Sequence, residues 1–115
     1  EIAAGTKAVA GSTKTPHTIS GSRPPGRGNN GTPNSIYEQR RADGSTSVTY
    51  YDEKGRRFAR EDYGQKSPHG ELPQASDGRT APHEHRYDYS EKGPTGKRYR
   101  ELDKNGKPAG PWRQD

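Results

Sequence analysis

From Ile36 onwards the chain alternates between hydrophobic and polar residues in short stretches bounded by turn residues. Thr46–Tyr51 is the clearest example, because β-branched and aromatic residues, which are typical of strands, make up most of it. Four further stretches have a similar character, at 35–41, 56–63, 82–89 and 97–102. A period of two predicts strands, and no stretch after Ile36 shows a helical period.

Turn residues separate these stretches at short intervals. Asp43-Gly44 predicts a two-residue hairpin turn, because glycine accepts a positive φ without steric cost. Asp-x-x-Gly recurs at 52–55 and 103–106, and 91–94 supplies a further turn. Residues 64–81 hold several Pro and Gly and few apolar residues, which predicts a long loop. We therefore expect a mainly β fold, a small antiparallel sheet or half-barrel with long loops.

The first third of the chain has a different composition. Residues 1–35 are rich in Gly, Ser, Thr, Pro and Ala and show no apolar period, which predicts a disordered or irregular linker. Residues 36–115 are expected to form the folded domain. Only 22% of the 115 residues are hydrophobic, so the core must be small. Seven Tyr, one Phe and one Trp provide amphipathic rings for it.

Charge and cysteine content narrow the possible functions. The net charge is +5, of which residues 1–35 carry +3 and the remainder +2, so much of the basic signal for nucleic-acid binding lies in the linker. With no cysteine, disulfides and thiolate metal sites are excluded. No apolar run approaches the roughly 18 residues of a membrane span, so we expect no membrane segment. Because the first residue is Glu1 and not Met, we expect a piece of a longer protein.

The segment 82–89 contains the densest group of side chains able to move protons or bind phosphate. In a strand, alternation places one set of its residues, His83, His85, Tyr87 and Tyr89, on one face, and a second set, Glu84, Arg86 and Asp88, on the other. Two imidazoles about 7 Å apart on one face suit an acid–base pair or a pair of metal ligands.

The first interpretation of this segment is metal-independent RNA cleavage. His83 and His85 would act as the acid–base pair, with His69 as a third candidate. Arginines would stabilise negative charge on the phosphate, and Tyr87 would orient a phosphate oxygen or stack a base. The phosphate-side candidates are Arg86, Arg98 and Arg100, with Lys97 beside them. RNA suits this set because its 2′-hydroxyl is the nucleophile, so no cofactor is needed.

Two other interpretations stay open. In a metal-dependent DNase or other hydrolase, His83 and His85 would be ligands, and a group from the long loop would complete the set, namely His69, Glu71 or Asp77. In a non-catalytic module, the linker and sheet would bind a partner, and the histidines would be ordinary sheet residues. The spacing of the histidines does not decide among the three.

Several short motifs occur in an order that resembles one toxin group. They are Pro33-Asn34-Ser35, the run Tyr50-Tyr51-Asp52-Glu53-Lys54-Gly55-Arg56, Asp62-Tyr63-Gly64, His69-Gly70, Pro82-His83-Glu84-His85 and the terminal Gly110-Pro111-Trp112. The set resembles C-terminal toxin domains of bacterial polymorphic toxins, delivered by contact-dependent inhibition, Rhs-type or similar systems. The nearest such group is the type 24 polymorphic toxin domain. The Tyr-Asp-x-x-Gly-Arg part also resembles the YD repeat of Rhs shells.

The resemblance implies an antibacterial nuclease that acts in interbacterial competition. It implies secretion or delivery from the producing cell and action in the cytoplasm of a target bacterium, with residues 1–35 as a pretoxin tail. It also implies a cognate immunity protein as partner, and functional roles for His69, His83 and His85, with Tyr63 as a further substrate-binding candidate. The expected substrate is tRNA or other cytoplasmic RNA, with DNA the less favoured target.

Overall fold

The computed structural model describes residues 17–24, 31–66, 70 and 72–114. Seven strands lie in this part of the chain: β1 (His17–Ser20), β2 (Ile36–Arg40), β3 (Thr46–Tyr51), β4 (Arg57–Tyr63), β5 (His83–Ser90), β6 (Gly93–Glu101) and β7 (Arg113–Gln114). They form one sheet in chain order from β1 to β7. The described residues contain no helix, so the prediction of a mainly β fold is confirmed.

The sheet is a meander with one exception at its edge. Strands β2 to β7 pair antiparallel with their neighbours in the chain, as hairpin connections require. Strand β1 instead pairs parallel with β2, with His17 beside Ile36. The segment 1–35, predicted to be a linker, thus contributes a strand to the sheet. A parallel neighbour needs a long connection, which the 15 residues between β1 and β2 provide.

Several tight turns share one geometry, which differs from the two-residue turn predicted at Asp43-Gly44. Arg41 and Ser45 are hydrogen-bonded across a three-residue loop, and Gly44 takes a φ of 88°. This is a type I turn followed by a left-handed glycine. The same geometry recurs at 52–56 and 103–107, where the leading Asp52 and Asp103 also accept backbone N–H groups through their side chains. These turns set the register of the hairpins that they close.

One face of the sheet, called here the core face, holds the hydrophobic cluster. Its buried members are Ile36, Val48, Tyr50 and Ala59, with Phe58 packed against them. The register explains why they meet, because Tyr50 is the Cα partner of both Ile36 and Ala59 and directly paired residues point to the same face. The cluster is small, as the composition predicted.

The opposite face, called here the histidine face, is defined by Ser47, Asp62, His83, His85 and Tyr99. Asp62 pairs with Ser47 on one side and with His83 on the other. His85 pairs with Arg60 on β4 and with Tyr99 on β6. Antiparallel pairing therefore brings side chains from four strands, β3 to β6, into one row across the sheet.

The long connection 64–82 lies partly over the histidine face. Gly70 lies so close to the Tyr99 hydroxyl that an added Cβ would come within 2.3 Å of it. Leu72 is buried, and Arg79 donates to the backbone oxygens of Gly64 and Asp43. These contacts tie the predicted loop to the sheet beside the row of histidines.

Candidate functional site

The candidate site is centred on the carboxylate of Asp62, near the end of β4. Its side chain is fully buried, and Ser47 on β3 donates to Oδ1 at 2.6 Å. The second oxygen, Oδ2, faces β5. Because a buried carboxylate is costly unless it receives hydrogen bonds, the partners of Oδ2 determine what the site can do.

Both histidines of β5 direct Nε2 at this one oxygen. His85 Nε2 lies 3.0 Å from Asp62 Oδ2, and His83 Nε2 lies 3.3 Å from it. The two rings are edge to face with their centroids 5.1 Å apart, and both side chains are almost completely buried. The spacing at i, i+2 on one face was predicted, and the structure adds the carboxylate on which both rings converge.

The tautomer of His83 follows from its second contact. His83 Nδ1 lies 2.9 Å from the backbone oxygen of Ala81, and a carbonyl oxygen only accepts, so Nδ1 carries a proton. In the neutral ring, Nε2 then presents a lone pair towards Asp62 Oδ2. A lone pair and a carboxylate oxygen in this arrangement both favour a cation or a proton between them.

A guanidinium group completes the cluster. Arg60 Nη2 lies 3.0 Å from Asp62 Oδ2 and 3.1 Å from His85 Nε2, and its Nε donates to the same oxygen at 3.1 Å. The Arg60 side chain is 29% exposed, whereas Asp62 and His85, which it contacts, are almost fully buried. Arg60 therefore connects the buried centre with the solvent.

The protonation of Asp62 reflects these contacts. Burial acts to raise the pKa of the Asp62 carboxyl, but its polar contacts with His83 and His85 and the nearby positive charge of Arg60 outweigh that effect. The pKa is therefore held well below its usual range, and the carboxylate is charged at neutral pH. The centre thus presents a fixed negative charge beside two imidazole nitrogens.

The geometry of the three side chains is compatible with a metal-binding set. The ligand atoms of Asp62, His83 and His85 lie within 4.8 Å of one another. With Zn–ligand bonds of about 2.0–2.1 Å, neighbouring ligands in a tetrahedron are about 3.3 Å apart, close to the two Nε2-to-Oδ2 distances. The hydrogen bond from His83 Nδ1 to a carbonyl is also the usual outer contact of a metal-binding histidine.

The same geometry fits an acid–base pair less well. Both ring nitrogens of His83 face oxygen atoms of the protein, Ala81 O and Asp62 Oδ2. A general acid or base needs one nitrogen directed at the substrate. His83 would have to give up one of these contacts to serve in that role.

The other predicted residues divide between the two faces of the sheet. Tyr87 and Lys97 are Cα partners and lie on the histidine face, one step along β5 and β6 from His85. The predicted phosphate-side arginines lie on the opposite face: Arg86 near the Phe58 ring, and Arg98 and Arg100 against Trp112. The structure therefore does not bring these arginines to the histidines. Trp112 covers this part of the core face through its contacts with Arg98 and Arg100.

Tyr63 and the loop candidates do not join the centre either. Tyr63 is two residues from Glu61 on the core face, where burial and then the charges of Glu61 and Glu84 raise the pKa of its hydroxyl. The Asp77 carboxylate is largely exposed and accepts the backbone N–H of Arg79 in its own turn. His69 and Glu71 lie outside the described residues.

The sequence-based reasoning missed two members of the cluster, Asp62 and Arg60. They stand at i, i+2 in β4, so alternation alone would have put them on one face. Their register with His83 and His85 depends on a connection of 19 residues, from 64 to 82, which no turn motif determines. For this reason the pattern gave no signal that Asp62 is the third group.

Searches against protein-family models, curated proteins and solved structures found no match for this chain. Nothing in the described part of the chain forms a helix of the length and apolarity needed to cross a membrane.

Proposed function

We propose that this chain is a nuclease of the bacterial toxin type that cleaves phosphodiester bonds at a divalent metal held by Asp62, His83 and His85. The observation that carries the proposal is the convergence of two imidazole Nε2 atoms on one buried carboxylate oxygen. Two nitrogens and one oxygen form a donor set suited to Zn²⁺ and related divalent metals.

A metal in this centre would polarise a phosphoryl oxygen or supply hydroxide from bound water at neutral pH. The protein groups have distinct parts in that chemistry. Asp62 supplies the negative charge that a cation needs, and Ser47 holds its other oxygen. Ala81 fixes the ring orientation of His83 through Nδ1. Three protein ligands leave a fourth position for water or substrate, as in catalytic zinc sites.

Arg60 lies close to two of the proposed ligand atoms. Its Nη2 lies about equally far from Asp62 Oδ2 and His85 Nε2, at 3.0 and 3.1 Å. A metal and a guanidinium would repel each other at such a distance. We propose that Arg60 turns outwards when the metal binds and then contacts the scissile phosphate, which guanidinium recognises bidentately.

A second candidate is the metal-independent ribonuclease that the sequence predicted. The observation in its favour is the contact of Arg60 with His85, since a guanidinium beside an imidazole is the pair needed to protonate a leaving oxygen and stabilise phosphate charge. His85 would then be the principal acid–base group. His83 would orient Asp62, because both of its nitrogens are engaged.

The proposal that the chain is a toxin is supported by the sequence and not by the Asp62 centre. Its support is the order of the Tyr-Asp, Asp-Tyr-Gly, His-Gly and Pro-His-x-His motifs along the chain. In this proposal the chain is delivered into a target bacterium and neutralised by an immunity protein, and acidic surfaces on that partner would complement the net charge of +5.

Digestion of nucleic acid with and without chelator distinguishes the two mechanisms. Purified protein is incubated with total RNA and with plasmid DNA, each with EDTA, without EDTA, and with EDTA followed by excess Zn²⁺ or Mn²⁺. Cleavage that EDTA abolishes and metal restores supports the metal centre. RNA loss that survives EDTA supports the ribonuclease. No cleavage of either substrate contradicts both mechanisms and favours a non-catalytic binding module.

Expression in the bacterial cytoplasm tests the toxin role. We expect the wild type to stop growth, and co-expression of a small protein encoded immediately downstream to restore it. His83→Ala and His85→Ala should both lose toxicity while the circular dichroism spectrum stays unchanged. Full toxicity in both folded variants would remove these histidines from the mechanism.

A further inference from the structure

We propose that Tyr87, Arg57 and Lys97 form a binding site for single-stranded nucleic acid that leads to the Asp62 centre. This inference rests on the proposed function, because it supplies the substrate class for the same site. The three residues come from β4, β5 and β6 and lie at the end of the histidine face away from His83.

An aromatic series connects the buried centre with this surface. The ring of Tyr87 is nearly parallel to that of His85, with an interplanar angle of 8° and a centroid distance of 6.4 Å. His83 and His85 are buried, whereas Tyr87 is half-buried. A chain bound along β5 would therefore pass from the half-buried ring of Tyr87 to the site of chemistry, two residues further along the strand.

Positive charge accompanies the aromatic ring. The Arg57 guanidinium carbon lies 4.5 Å above the centroid of the Tyr87 ring, and the exposed Lys97 is the direct cross-strand partner of Tyr87. The nearby acidic residues are engaged elsewhere. Asp52 pairs with Arg56 at 2.9 Å, and Asp88 points to the other face, where it lies 3.6 Å from Arg98. Arg57 and Lys97 therefore place two positive charges beside the Tyr87 ring on the histidine face.

Interleaved aromatic and basic groups of this kind bind single strands. Tyr87 and the Arg57 guanidinium above its ring together offer groups on which an unpaired base can stack. Lys97 and Arg57 lie where a backbone passing the base would place its phosphates, and stacking of this kind tolerates any base. A duplex hides the faces of its bases, so the site should favour single strands over duplex of the same length.

Binding can be measured apart from cleavage. Full-length protein is titrated into a fluorescein-labelled ten-nucleotide single-stranded RNA in EDTA, and fluorescence anisotropy is recorded at several salt concentrations. Tyr87→Ala should weaken binding about 10-fold, and Tyr87→Phe should bind like the wild type, because stacking needs only the ring. Arg57→Gln and Lys97→Gln should each reduce the slope of log affinity against log salt concentration by about one, the amount expected for one lost phosphate contact.

Arg98→Gln is the matched control, because it removes one positive charge from the core face. It should change affinity less than threefold and leave the preference for single strands unchanged. If Arg98→Gln and Arg57→Gln lose the same affinity for single-stranded RNA, the binding is non-specific charge attraction and the proposal is overturned. Equal affinity for duplex and single strand would also overturn it. Tight binding with no cleavage under any metal condition would contradict the proposed function and leave the binding site standing.

Discussion

The two faces of the sheet both bury carboxylates, but they arrange the donors differently. On the core face, Glu61 accepts a hydrogen bond from the Tyr50 hydroxyl at 2.7 Å, and Glu84 accepts one from Arg100 at 2.6 Å. On the histidine face, two imidazoles and a guanidinium all converge on a single oxygen of Asp62. Glu61 and Asp62 are adjacent in the chain, so the difference arises only from the face to which each points.

This difference distinguishes carboxylates that only need to be stabilised in the folded protein from a carboxylate placed in a candidate site. A buried carboxylate needs its hydrogen bonds satisfied, and a hydroxyl or guanidinium meets that need at the core face. The surroundings of Asp62 Oδ2 go beyond this need, because a carboxylate oxygen has about two lone pairs and Arg60 already donates to it before His83 and His85 are counted. Imidazole nitrogens and a carboxylate oxygen are metal ligands, and a cation site requires several of them close together. The two faces therefore serve as controls for each other.

The largest expected effect is on stability, from Tyr50→Ala on the core face. The change removes a fully buried ring from a small cluster and deprives Glu61 of a donor. We expect a loss of about 3–5 kcal/mol in the free energy of unfolding, measured by urea denaturation. Tyr50→Phe, which keeps the ring, should lose about 1–3 kcal/mol. A wild-type stability for Tyr50→Ala would mean that the cluster does not hold the sheet together.

Asp62→Asn and Glu61→Gln compare the two faces directly. Each change replaces a buried carboxylate with an amide of the same shape. Asp62→Asn should lower Zn²⁺ affinity, measured by competition with a chromogenic chelator, about 100-fold or more, because it removes the charged ligand. Glu61→Gln should leave this affinity within about threefold of the wild type. Equal affinities in the two variants would contradict the metal centre at Asp62.

Arg60→Gln should affect metal affinity and cleavage in opposite directions. Removing a positive charge near 3 Å from the ligand atoms should tighten Zn²⁺ binding about 10-fold. Cleavage should fall by about 10-fold or more, since the phosphate contact is lost. The control Arg100→Gln lies on the core face and should alter neither property, although it lowers stability. Unchanged Zn²⁺ binding in Arg60→Gln would show that Arg60 does not compete with the metal.

The smallest expected effect comes from Ser47→Ala, which removes the hydrogen bond to Asp62 Oδ1 within the buried network. The thermal midpoint should fall by an amount equivalent to about 1–2 kcal/mol. Ser45→Ala removes a bond of the same length to Asp43, but water can reach the exposed Asp43 carboxylate, so the midpoint should fall by less than in Ser47→Ala. A larger loss in Ser45→Ala would indicate that the turn, and not the buried network, limits stability.

Local chemistry made most of the fold predictable from the sequence. Alternation over Thr46–Tyr51 and the Asp-Gly turns led to the correct strands, because period and turn residues act over a few positions. The prediction left out one strand, β1, whose partner lies far away in the chain. Strand β1 (His17–Ser20) has no strong pattern of its own, and it is held by the edge of β2, which a local pattern does not reveal.

By itself, the sequence determined a mainly β domain and the placement of His83 and His85 on one face, since side chains two residues apart in a strand point the same way. Only the tertiary structure decided that Asp62 and Arg60 join them and that Arg86, Arg98 and Arg100 do not. The physical reason is register across the strands. The pairing of β4 with β5 spans the long connection 64–82, and a shift by one residue would have placed Glu61, and not Asp62, beside the histidines.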